Sequence, residues 1–134
     1  MPLTVHSNTV SGVFTEIQDF TCSRAVIVHA CSVIGGNPAD ADGDTVAVDW
    51  SYSTDGFSSS DVEIAADAAA EYNDTDNTQG YLAGRVTDVP LTSANTGPTG
   101  TVRVPAGAVI RATVTWTGSP ADGRLTTQLE TTAV

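Results

Sequence analysis

The chain has 134 residues, 40% of them hydrophobic, with a mean hydropathy of −0.01; that length and balance suit one globular domain with its own core and exclude a disordered chain. Sixteen acidic residues face five arginines and no lysine, for a net charge of −11. So acidic a surface repels phosphate, which argues against direct nucleic-acid binding and against docking on anionic lipid, and no apolar run approaches the ~20 residues of a membrane helix.

The first eight residues read as an N-terminal arm, and residues 9–134 as a single domain. The start MPLTVHSNTV lacks the basic and long apolar segments of a signal peptide, so synthesis without classical secretion is expected. SGVFTEIQDF fits a first strand, and RAVIVHACSV, apolar on both faces, fits a central one. A strand over residues 24–33 would hold Cys22 and Cys31 roughly 30 Å apart, far beyond disulfide reach, so both are read as reduced core residues. On that strand His29 alternates with Ile27 and Cys31. A His-x-Cys pair is half of a zinc site, but no second pair completes it, and core packing is the favoured reading of His29.

Residues 40–44 read DADGD. Asp40, Asp42 and Asp44 alternate around Gly43, as oxygen ligands of a calcium loop do. The glycine follows the second aspartate, no glutamate closes the loop and a strand follows, so the EF-hand pattern is not met. A calcium loop and a solvated acidic turn both stand. NDTDN, with Asp74 and Asp76, is a weaker match of the same kind, and the sequon Asn73-Asp74-Thr75 is read as a chance occurrence.

TVAVDWSYS places Val46, Val48, Trp50 and Tyr52 on one face, and STDGF after it is an Asp-Gly turn. Val62–Tyr72 is Ala-rich, and Ser60 and Glu63 have capping-box spacing; Val62 and Ile64 could extend a strand, but a short helix or ordered excursion is the favoured reading near 61–72, with a polar loop at 73–80. GTVRVP, AVIRATVTWT and RLTTQLETT are alternating runs joined by VPAGAV and TGSPADGR; Ile110, Val114 and Trp116 share one face of the second. Trp50, Trp116, Tyr52 and Tyr81 would suit a sugar-binding face, yet both tryptophans stand on apolar strand faces, where core is the default. Twenty threonines support a sheet-rich chain. The expected fold is an all-β antiparallel sandwich, jelly-roll-like, of about seven or eight strands.

No nucleophile elbow, phosphate loop or cofactor motif is present, so a non-enzymatic role without cofactor is expected. The Asp-rich, Lys-free composition suits high salt, and equally a GC-rich genome.

RAVIVHACSVIGGNP, DTVAVDWSYSTDGF, GTVRVP and AVIRATVTWTGSPADG, in this order, resemble the strand pattern of small β-sandwich virion accessory proteins of tailed bacterial and archaeal viruses. The resemblance covers about two thirds of the chain, and the Ala/Asp-rich segment at 61–80 departs from it. It implies a virion structural protein made in the host cytoplasm, first a capsid decoration protein on the major capsid protein lattice, present as a homo-oligomer or as lattice-repeated copies. A tail or head-tail joining component is the nearest variant, and a carbohydrate- or calcium-binding module the alternative.

Overall fold

The computed structural model describes residues 3–11, 15–36, 45–71, 81, 84–118 and 123–134. Nine strands lie in these segments: β1 (Thr4–Ser11), β2 (Thr15–Thr21), β3 (Val26–Gly35), β4 (Thr45–Ser53), β5 (Val62–Glu71), β6 (Val86–Val89), β7 (Val102–Val104), β8 (Val109–Thr117) and β9 (Arg124–Ala133). A single 3-10 turn at Ser93–Asn95 is the one helical element among the described residues.

The strands form two antiparallel sheets packed face to face. One runs β1-β9-β3-β6, with β7 also paired to β3; the other runs β2-β8-β4-β5. Setting β7 aside, the pairs β1·β9, β2·β8, β3·β6 and β4·β5 are those of one long hairpin rolled up, its first strand against its last. That winding is a jelly roll.

The alternating runs supply the core. Val46, Val48 and Trp50 of β4 face Trp116, Val114 and Ala112 of β8 in register, and Val28, Cys31 and Val33 of β3 meet them from the other sheet. Both tryptophans are 1% exposed. Cys22 and Cys31 are free and buried, and burial pushes both thiols up, Cys31 far above the ordinary range.

Three expectations change. The Ala-rich segment near 61–72 is not a helix but strand β5, paired along β4 with two register shifts. Ten residues make a marginal helix alone, whereas here Ile64 and Ala65 become fully buried against the sandwich. Glu63, expected in a helix cap, instead accepts a 2.5 Å hydrogen bond from the Thr92 hydroxyl.

His29 is not a core residue. The β3·β9 register shifts between Val28 and Ala30, at the point where β3 exchanges its other partner from β7 to β6. His29, next to the inward Val28, faces solvent, where its Nε2 lies 2.8 Å from the Thr132 hydroxyl, and the bulge after Val28 brings Cys31 back inside. The His-x-Cys pair is therefore split between the two faces.

The arm boundary at residue 8 falls inside an element. Residues 4–11 form β1, an edge strand in unbroken register with β9 of the same chain.

Candidate functional site

The sequence points first to Asp40, Asp42 and Asp44. These lie outside the described residues, as do Asp74 and Asp76. Among the described residues no group of three or more His, Cys, Asp or Glu is placed to hold a metal ion.

Two other places concentrate chemistry. The first is the side of the sandwich where β1 and β2, the edges of the two sheets, stand together. A cleft of about 430 Å3 opens between them, lined by His6, Asn8, Phe20, Trp50, Ile110 and Leu129 among others. His6 and Phe20 stack across it, ring centroids 4.3 Å apart and planes within 15°, so that one ring from each sheet holds the edges together. His6 Nε2 lies 3.2 Å from the Thr131 hydroxyl. Burial lowers the His6 pKa from its ordinary value, which keeps the ring neutral at pH 7. The Asn8 Nδ2 amide is buried with no hydrogen-bond partner among the described residues, an uncommon arrangement in a folded chain.

The second place is the outer face of the β2-β8-β4-β5 sheet. Arg111 on β8 pairs bidentately with Asp19 on β2, Nε to Oδ1 at 2.8 Å and Nη2 to Oδ2 at 2.9 Å. That contact lowers the Asp19 pKa and raises that of Arg111. The guanidinium also sits 4.0 Å over the Phe57 ring. Phe57 reaches this position from a left-handed backbone, φ +63°, directly after Gly56 at +72°. A bulky residue holds such a backbone only when its surroundings fix it. Here the fixing group is Ser53, whose hydroxyl accepts from the Asp55 and Phe57 amides at 3.2 and 3.1 Å and donates to Asp55 Oδ1 at 2.6 Å. Donation from Ser53 and from Ser59 holds the Asp55 carboxyl well below the usual carboxylate range.

Toward β5 the same face becomes acidic. Burial raises the pKa of Asp49, and the nearby charges of Glu63 and Asp61 raise it further. The opposite edge is closed by Tyr81, 1% exposed, whose hydroxyl donates to Asp67 at 2.5 Å. Tyr81 and both tryptophans are thus unavailable to an exposed sugar-binding strip.

The sequence hides both places for a common reason. His6 and Phe20 meet by packing of one sheet on the other, Asp19 and Arg111 by pairing of strands distant along the chain, and neither pair carries a local motif. The Asp-Gly turn signal at 55–56 was legible, but that Phe57 lies under Arg111 was not.

Comparison of the chain with family models, with curated proteins and with solved structures finds no match.

Proposed function

We propose that this chain is a non-enzymatic structural protein of a virion, acting as a capsid decoration protein on the lattice of the major capsid protein. The observation that carries the reading is the rolled-hairpin pairing of β1·β9, β2·β8, β3·β6 and β4·β5. That architecture serves viral capsid domains, and also lectins and cupins, so the fold alone leaves function open. What favours a virion role is that β3, β4, β7 and β8 hold the strand motifs that resemble virion accessory proteins. The outward side of the β2-β8-β4-β5 sheet, rich in Thr with Thr113, Thr115 and Thr117 on β8, suits a surface protein.

The test is binding to expanded capsids. A decoration protein saturates them at a stoichiometry set by lattice symmetry; failure to bind expanded capsids removes the reading. Binding to tails or to the head-tail joint alone selects the joining variant. A carbohydrate-binding module is the second reading, favoured by the amide and aromatic lining of the β1/β2 cleft, with Asn8, Gln18 and Phe20. It predicts heat of saccharide binding in titration calorimetry, lost in Gln18→Ala, and a flat titration across a glycan panel ends it.

A further inference from the structure

We propose that the free edge of β1 is an interface for a second copy of this chain, two sandwiches joining through antiparallel pairing of their N-terminal strands into one continuous sheet. The inference does not depend on the virion reading.

An open strand edge presents unpaired N–H and C=O groups, and proteins blunt it with charge, proline, bulges or brevity. The other edges of this sandwich are blunted. β6 has four residues, carries Asp88 and runs into Pro90; β7 has three, carries Arg103 and runs into Pro105. β5 has two register shifts and carries Glu63 and Asp67. β2 carries Glu16 and Asp19. β1 has none of these devices. Its eight residues, TVHSNTVS, contain no acid, arginine, proline or glycine, and its register with β9 is unbroken from Thr4 to Ser11.

Of the five large hydrophobic side chains exposed among the described residues, three stand at or beside this edge, and the other two are Val86 on β6 and Val134. Leu3, 53% exposed, directly precedes β1; Val5, 50% exposed, is on β1; Ile17, 49% exposed, is on the adjoining edge strand β2. The His6–Phe20 stack fixes these two edges side by side.

Charge selects the edge, and the self-complementary sequence of the strand selects a second copy. Each copy carries −11, so two copies repel, least where an uncharged strip meets an uncharged strip. β1 against β1 places Thr, Ser and Val opposite one another with no carboxylate across the new ladder, and Thr–Thr and Thr–Ser pairs stabilise an antiparallel pair. The other long edges of a second copy, β2 and β5, bring acids, and the short β6 and β7 bring Asp88 and Arg103. A twofold through the β1 pair makes the contact self-complementary and closed.

The experiment is molar mass by light scattering and sedimentation equilibrium, from ~1 µM to ~1 mM protein, in about 0.1 M and about 1 M salt. The expected result is a rise from 13.7 kDa toward twice that mass with concentration, with tighter association at high salt as repulsion is screened. Val5→Asp/Ser7→Asp, both at exposed β1 positions, is expected to stay monomeric throughout with an unchanged circular dichroism spectrum. Thr54→Asp/Ala106→Asp adds the same charge at exposed positions elsewhere and is expected to leave the dimer intact. A monomeric wild type at ~1 mM in 1 M salt, or a dimer that survives Val5→Asp/Ser7→Asp, overturns the proposal. Hydrogen exchange on the wild type serves if that variant does not fold. β1 amides are expected to gain protection with concentration while β6 amides do not; concentration-independent β1 exchange also overturns it. A wild type whose β1 amides are protected only on added capsids assigns the edge to a foreign strand, and equally overturns the second-copy assignment.

Discussion

Gly123, one residue before β9, lies against the indole of Trp116. A Cβ built on it would stand 2.7 Å from both Cη2 and Cζ3 of that ring, closer than real Cβ contacts come. Gly123→Ala therefore forces a shift, and the neighbour that must give is one of the largest buried side chains, 1% exposed between the sheets. Overpacking of a filled core costs about 1–3 kcal/mol. At ~2.1 cal/mol/K per residue, 134 residues give an unfolding entropy of about 0.28 kcal/mol/K, so a loss of about 2 kcal/mol lowers Tm by roughly 7 °C. The assay is thermal unfolding followed by circular dichroism, with urea unfolding as a second measure. A double-mutant cycle isolates the cause. Trp116→Phe removes the outer indole ring that meets the new methyl, so Gly123→Ala should cost at least ~1 kcal/mol less in that background. A Gly123→Ala protein that melts with the wild type, or strict additivity in the double mutant, refutes the reasoning.

Four further outcomes follow from the charges and thiols. Asp49→Asn should raise Tm at neutral pH and low salt, because the folded Asp49 pKa is raised and its ionised form costs stability above that value; the gain should shrink in high salt and vanish below pH 3.8, where the carboxyl is protonated in both states. Asp55 has the opposite sign: its lowered pKa contributes stability above the unfolded value of 3.8 that is lost as pH falls, so Asp55→Asn should flatten the acid limb of a stability-against-pH curve. His6, also lowered, leaves the unfolded chain to take up the proton first as pH falls below 6.5, so wild type should lose stability there relative to His6→Gln, read from the difference between their pH profiles. Neither Cys22 nor Cys31 should react with a thiol reagent in the native protein, and both should react in denaturant; rapid native labelling of Cys31 would contradict its burial.

The legible part of the fold is what period two encodes. Val46, Val48 and Trp50, and Val114 and Trp116, lie inward as their alternation requires, because a strand with one wet face cannot place them otherwise without exposing the core. What alternation misreads is the bulge. One extra residue at His29 shifts the inward set from Val26 and Val28 to Cys31 and Val33, and the sequence carries no mark of it because its cause is a change of partner strand. β5 is misread for a related reason. Alanine favours helix locally, but the small residue also fits an edge strand with two register shifts, and tertiary pairing decides between them. Of the candidate site, the aspartates at 40, 42 and 44 are read from their spacing around Gly43 and lie outside the described residues, whereas the His6–Phe20 stack required the packing of two sheets and the Asp19–Arg111 contact the pairing of β2 with β8, distant along the chain.

The winding of the roll also explains why its N-terminal strand is the exposed one. In a rolled hairpin the first strand pairs with the last, so among the described residues β1 pairs with β9 alone and ends its sheet. Its inward positions are His6 and Asn8, polar residues that add little hydrophobic burial, and one of them leaves a buried amide with no partner among the described residues. A strand held mainly by its ladder to β9 and by one ring stack is the part of the sandwich with most to gain from a second ladder. Carboxylates at Val5 or Ser7 would protect that edge at little cost to the core, since both positions are exposed, and the chain has carboxylates on every other long edge. Among the long edges their absence from β1 alone ties the acidity of the surface to the placement of an uncharged seam.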